Sequence, residues 1–240
     1  MRSPILFFVC WVVLNIVIVT CAVGQTAKPP KRLSDIAPLE RIVDQDTNLT
    51  SNRIDIVAMK SFSWTSTIGG FAMLFKENDS AKENFAFTPK SLRFRDLLDS
   101  IVAAEPRYQW KEKDGIINLI PKDNYPVLEA SVARFSLKNA TKEEMINGLQ
   151  STTEFLSATL KAGVQKNLGG SFDGICTETP QKNTINIYNA TVQEILNEIV
   201  RLNGLSVWRY REYSVANDRT KGRFYSLDFI VNHGADCSAL

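Results

Sequence analysis

One pattern of sixteen residues occurs three times in this chain, and any fold must accommodate the repetition. Residues 135–150 align with residues 185–200 without a gap, and the two segments share five identities. The identical pairs are Asn139/Asn189, Ala140/Ala190, Thr141/Thr191, Glu144/Glu194 and Asn147/Asn197. A weaker copy at 87–102 keeps the aliphatic spacing, and its match continues to Trp110 against Trp208. The copies predict tandem versions of one small structural unit.

Each copy has the pattern of a short strand that leads into a helix. In the last copy, apolar and polar residues alternate over 185–188, as in a half-buried strand. Thr191 precedes Glu194 by the three residues of a helix-capping box, and Thr141 and Glu144 repeat this spacing. The apolar residues after this cap fall on one helix face. They are Val192, Ile195, Leu196, Ile199 and Val200.

We therefore predict an α+β fold with an α/β-like order of elements. In this fold, small β-α-β repeat domains occur in tandem, and their amphipathic helices pack on short sheets. The boundaries follow the copies of the pattern. Residues 54–121 form the first predicted domain, 122–127 a linker, 128–232 a second and enlarged domain, and 233–240 a C-terminal tail.

Local patterns predict the elements inside these domains. Alternation at Ile54–Ala58 predicts a strand, and the apolar spacing over Trp64–Phe75 predicts a helix despite two central glycines. Asp114-Gly115 separates two alternating runs and predicts a hairpin. In the second domain, Thr153–Leu160 is a further predicted helix.

Residues 1–24 have the composition of a secretory signal peptide. Ile5–Val19 is almost continuously apolar, Arg2 precedes it, and small residues follow at 22–24. We expect export to the periplasm or the cell exterior. An uncleaved segment that anchors the chain in a membrane is the alternative, and membrane contact is expected only in that case. Residues 25–53 are polar and contain prolines, which predicts a tether.

Four aromatic residues at equivalent positions of two predicted strands are the candidate binding residues. They are Tyr108, Trp110, Trp208 and Tyr210. Exposed rings would form a platform for a glycan or a peptide. The recurrence of the tryptophan instead favours packing against the repeated helix.

The chain lacks the residue sets of common catalytic and metal sites. His233 is the single histidine and lies in the predicted tail, which argues against a catalytic triad or a histidine-based metal site. Neither Cys176 nor Cys237 has a CxxC partner. The 28 lysines and arginines nearly balance the 26 aspartates and glutamates, so a nucleic-acid partner is not expected. We expect no catalytic residue, no metal and no cofactor.

The repeat resembles the short N-terminal domain that secretins and TonB-dependent transducers share. Thr191–Arg211 carries the resemblance through its capped helix and the strand that follows, and Leu92–Pro121 carries it with poorer capping. The resemblance implies two such domains in tandem. It departs from the family because no secretin pore, TonB box or barrel sequence follows before Leu240.

In that family the domain is a periplasmic docking or signalling module and not an enzyme. The resemblance thus implies an exported, non-catalytic module of the cell envelope that binds an envelope protein. Such modules can use an exposed strand edge or a helix face. A protein that binds glycan, peptidoglycan or peptide through the aromatic hairpins is the alternative.

We predict a disulfide between Cys176 and Cys237, because export favours oxidation and both residues lie in a predicted loop or tail. The bond would close a segment of about 60 residues, for which the chain-entropy model gives roughly 4 kcal/mol before native strain is subtracted. Mass spectrometry of unreduced protein from its native compartment tests this prediction. Two thiols that alkylate freely without prior reduction would contradict it.

Overall fold

The computed structural model describes residues 37–43, 54–65, 67–74, 93–123, 125–166, 181–204, 206–214 and 222–231. The helices are α1 (Ile54–Trp64), α2 (Phe94–Ala104), α3 (Lys142–Gln150), α4 (Thr153–Ala162) and α5 (Val192–Asn203). The strands are β1 (Gly69–Met73), β2 (Tyr108–Lys113), β3 (Ile116–Pro121), β4 (Ser131–Ala140), β5 (Val164–Lys166), β6 (Asn183–Thr191), β7 (Ser206–Ser214) and β8 (Arg223–Val231). The predicted α+β class is confirmed.

The predicted signal peptide, His233 and both cysteines of the predicted disulfide lie outside the described residues. Within the described ranges, no helix is both long enough and apolar enough to cross a bilayer.

A mixed six-stranded sheet forms the centre of the fold, in the order β2-β3-β1-β7-β8-β5. β1 runs parallel to both β3 and β7, whereas β2–β3 and β7–β8 are antiparallel pairs. The predicted hairpin at Asp114-Gly115 is confirmed, and both residues have positive φ (54° and 75°) as a type I′ turn requires. β4 and β6 form a separate two-stranded sheet, which we call the ribbon.

Helices cover both faces of the central sheet. Because side chains alternate along a strand, each strand contributes to both faces. Phe71 and Leu119 pack with α1 and α2 on one face. Trp208 and Leu227 pack with α3, α4, α5 and the ribbon on the other. The result is a sheet that lies between two apolar cores.

The expected division of the chain at 122–127 does not separate two sheets. β1, from the first predicted domain, pairs with β7, from the second. Tyr125 and Val127, placed in the predicted linker, are buried in the core beside α5. The repeats indicate the unit of structure, but they do not specify which strands of different copies become neighbours.

Two predicted elements in residues 54–75 are wrong, because helix and strand are exchanged. Ile54–Trp64 is helical, and the buried Val57, Ala58 and Phe62 lie at helical spacing. Gly69–Met73, predicted to lie within a helix, is instead β1, and it is buried at all five positions. A strand buried on both faces has no polar alternation, so its sequence resembles that of a buried helix.

The paired glycines of β1 are required by close contacts with neighbouring strands. A Cβ at Gly69 would lie 2.0 Å from the main-chain oxygen of Ile117. A Cβ at Gly70 would lie 1.9 Å from Cε2 of Trp208. The glycines that weaken a helix prediction here permit the tight packing of a central strand.

Part of the predicted tether is packed against the domain. Leu39 and Val43 are buried beside α2. The N–H of Phe94 at the start of α2 donates to the carbonyl of Arg41 over 2.8 Å. Arg41 Nη1 also donates to the carbonyl of Thr65 over 2.9 Å. This segment therefore supplies the cap that α2 lacks, because α2 has no side-chain cap of its own.

The capping boxes of the other two copies are confirmed. The hydroxyl of Thr141 accepts from the N–H of Glu144 over 3.2 Å, and the N–H of Thr141 donates to that carboxylate over 2.7 Å. The corresponding distances for Thr191 and Glu194 are 3.2 Å and 2.9 Å. The same copies place Asn139 and Asn189 at φ 50°, a left-handed conformation that asparagine adopts more readily than most residues.

Thr191→Ala should lower the free energy of unfolding by on the order of 1 kcal/mol, because α5 loses a hydrogen bond at its first turn. Thr141→Ala should behave alike at α3. Thr153→Ala is the control, since Thr153 is exposed in the first turn of α4 and caps no helix. Chemical denaturation measures all three, and equal stabilities for Thr191→Ala and Thr153→Ala would refute the role of the cap.

Candidate functional site

The four aromatic candidates do not form one surface. Trp208 and Tyr210 are fully buried and lie in the core beside α5. Tyr108 is 2% exposed and, with the half-buried Trp110, lies on the opposite side of the sheet beside α2. The alternative interpretation, an exposed platform of these four rings, is therefore wrong. The structure supports the packing interpretation instead.

Each candidate tryptophan makes the same contact with its own repeat. The indole N–H of Trp110 donates to Asp99 Oδ1 of α2 over 2.8 Å. The indole N–H of Trp208 donates to Asn197 Oδ1 of α5, also over 2.8 Å. Asp99 and Asn197 are equivalent positions of the repeat. The recurring tryptophan thus fixes the strand to the preceding helix.

Tyr210 belongs to a buried polar network that the sequence analysis missed. Its hydroxyl lies 3.1 Å from the hydroxyl of Tyr125 and donates to Glu212 Oε1 over 3.0 Å. Arg223 pairs with the other oxygen of Glu212, whose side chain is fully buried. Arg223 Nη1 also donates to the carbonyl of Ala162 at the end of α4, over 3.4 Å. The one available signal was the separation of Tyr210 and Glu212 by two residues, which places both side chains on one face of β7.

The phenols of Tyr210 and of the neighbouring Tyr225 stay neutral at physiological pH. Burial raises the pKa of Tyr210 far above its usual value, and the neighbouring Tyr225 raises it further, against an opposing effect of Arg223. Burial raises the pKa of Tyr225 to about 12. The two rings stack with their centroids 5.8 Å apart. Neutral hydroxyl groups can donate to Glu212, so the network joins β7, β8, α4 and the turn at Tyr125 as a structural element.

The ribbon is built from the strands of the two best-matched copies. Ser136 and Asn186 are equivalent positions of the repeat, and they are also direct partners in the antiparallel register. Phe135 pairs with Ile187, and Leu137 pairs with Ile185. A local two-fold axis between Ser136 and Asn186 therefore relates the two strands.

The outward face of the ribbon is polar and basic. Its side chains are Arg134, Ser136 and Lys138 of β4 with Thr184, Asn186 and Tyr188 of β6. Arg134 lies over the ring of Tyr188, with its Cζ 5.6 Å from the ring centroid. Tyr188 is 55% exposed, so a large ring is presented to solvent beside a cation. Neither strand contains an aspartate or a glutamate.

Every second residue of a ribbon strand directs its main-chain N–H and C=O groups to the outer edge, away from the other strand. The N–H of Val192 donates to the carbonyl of Ala130 over 3.0 Å, so the pairs whose side chains face the core form the hydrogen bonds between the two strands. Ile185 and Ile187 also face the core, so the main-chain groups of Asn186 and Tyr188, whose side chains lie on the outward face, point to the outer edge of β6. In the part of the chain that the structure describes, no third strand pairs with β4 or β6. The alternation of apolar and polar residues predicts these strands, but it does not indicate which edges stay open.

Tyr210→Phe should cost about 1–3 kcal/mol of stability, because buried oxygens of Tyr125 and Glu212 lose a hydrogen-bond partner. Tyr188→Phe is the matched control, since its hydroxyl is on the exposed ribbon, and it should change stability by less than about 0.5 kcal/mol. Urea unfolding at pH 7 compares the two variants. Equal effects would show that the buried network is not a stabilising element.

The described residues show no arrangement of three or more histidine, cysteine, aspartate or glutamate side chains that could hold a metal ion. The ribbon offers instead main-chain donors and acceptors, a cation and an exposed ring, which are groups suited to recognition. Comparison of the chain with family models, curated proteins and solved structures found no match.

Proposed function

We propose that this protein is an exported, non-catalytic docking module that binds an envelope protein through the ribbon. The observation that carries the proposal is the pair of long strands, β4 and β6, whose outer edges pair with no further strand in the described ranges. Unpaired strand edges are templates for strand addition, and natural proteins use them for peptide recognition.

The outward face supports the same role. Arginine and tyrosine are enriched among the residues that carry most of the binding energy at protein interfaces. Arg134 and Tyr188 lie together on this face, and Tyr188 is largely exposed. A partner that covers the ring would desolvate both side chains at once. The face and the edge therefore offer complementary contacts to one bound segment.

The buried groups favour docking over catalysis. Glu212 is fully buried and is engaged by Tyr210 and Arg223. On the other face of the sheet, Arg209 and Asp228 form a bidentate ion pair. Arg209 Nε donates to Asp228 Oδ1 over 2.9 Å, and Nη2 donates to Oδ2 over 2.8 Å. In each set the carboxylate is engaged by its own neighbours, as in structural networks. Neither presents a nucleophile or a base to solvent.

The resemblance to the short N-terminal domain of secretins and TonB-dependent transducers is part of this proposal. The order of β6, the capped α5 and β7 is consistent with it. A docking role in the cell envelope is the function that such a domain would bring.

Photo-crosslinking tests the docking surface. With p-benzoylphenylalanine in place of Tyr188, we expect an adduct of discrete mass in envelope extract, and excess unlabelled protein should compete it away. The control carries the same group in place of Leu160, which is 81% exposed on α4. Adducts that form equally from both positions, or no adduct from the ribbon position, would contradict the proposal.

A further inference from the structure

We propose that the outer edge of β6 binds an acidic, extended segment of the partner as an added strand. This inference rests on the proposed docking function and specifies the chemistry of what docks. Three features of the ribbon support it: its unbalanced cations, the difference between its two edges, and the length of open edge on β6.

Three cations lie on the ribbon or beside it. Arg134 and Lys138 lie on the outward face, and the exposed Lys182 immediately precedes β6. None of the three forms an ion pair with a carboxylate in the described ranges. Arg134 is held over Tyr188, which places its charge on the β6 side of the ribbon. A partner with carboxylates would complement this surface.

Carboxylates on the neighbouring helix α5 are already engaged. Glu194 accepts from the N–H of Thr191 in the capping box. Glu198 forms an ion pair with Arg201 over 2.6 Å. Because Glu194 and Glu198 are bonded to these other groups, the cations of the ribbon remain available to carboxylates of a ligand.

The two edges of the ribbon differ in what approaches them. At the edge of β4, the N–H of Ala133 donates to the Glu154 carboxylate of α4 over 3.4 Å. An acidic segment at that edge would meet this carboxylate and compete for the same donor. At the edge of β6, Asn186 and Tyr188 direct their main-chain groups outward, and the Glu194 carboxylate lies beyond them at Thr191. The acidic segment is therefore assigned to β6.

The open edge of β6 is short. Asn189 has φ 50°, which interrupts the extended backbone, and the N–H of Thr191 is used by Glu194 over 2.9 Å. The edge available for pairing therefore runs from Asn183 to Tyr188. An added strand of about six residues fits this length, and every second side chain would lie on the basic face. The expected ligand thus carries aspartate or glutamate at alternate positions.

Titration of the exported chain with two synthetic peptides tests the assignment. One peptide alternates glutamate with valine, and the other alternates lysine with valine at equal length. We expect the acidic peptide to bind and to slow hydrogen exchange at the amides of Asn186 and Tyr188, and we expect its affinity to fall as salt screens the charges. The basic peptide should have no effect at either amide.

A double variant, Arg134→Ser with Lys138→Ser, should weaken binding of the acidic peptide by about threefold to tenfold, as expected for two exposed charges. The matched control is Lys161→Ser with Lys166→Ser, which removes two exposed cations outside the ribbon and should leave the affinity unchanged.

Equal binding of both peptides, or binding without protection of the Asn186 and Tyr188 amides, would overturn the assignment. If the crosslink at position 188 captures a partner while the acidic peptide does not bind, docking stands and the acidic strand is refuted. If the acidic peptide protects these amides and no crosslink forms, the binding chemistry stands and the docking function is refuted.

Discussion

The packing of the Trp208 indole on the main chain of Gly70 is the contact on which the arrangement of the fold depends. Gly70 and Trp208 are partners in the register of β1 and β7. Because Gly70 has no side chain, the indole lies directly against β1, where a Cβ would be 1.9 Å away. The same indole binds Asn197, so α5 is fixed over the centre of the sheet. One glycine therefore allows strand, indole and helix to stack, and it connects the early and late parts of the chain.

Features set by neighbouring residues could be predicted from the sequence. The capping boxes at Thr141 and Thr191, the stripe of α5 and the Asp114-Gly115 hairpin each depend on residues a few positions apart. Features set by distant residues could not. β1 is buried by β3 and β7 on either side and by helices on both faces, so its sequence lacks polar alternation and its pattern predicts a helix.

The candidate site shows the same limit. The sequence pattern predicts the strands of the ribbon. Whether an edge stays open depends on where every other strand lies, and no local pattern indicates this. The network of Tyr125, Tyr210 and Glu212 joins residues 85 positions apart, so no local pattern could reveal it. As a result, the aromatic residues that the sequence offers for binding pack in the two cores, and the surface proposed for recognition is the ribbon.

The local two-fold axis of the ribbon also has a consequence for how the surface can vary. A strand that pairs with its own equivalent about such an axis has the geometry of an isologous interface between identical subunits. Here both halves belong to one chain, so they are held together without a concentration requirement and need not remain identical. Positions related by the axis carry different residues. Arg134 is equivalent to Thr184, and Lys138 is equivalent to Tyr188. Covalent linkage thus turns a symmetric backbone into an asymmetric surface, with one edge that can be recognised apart from the other.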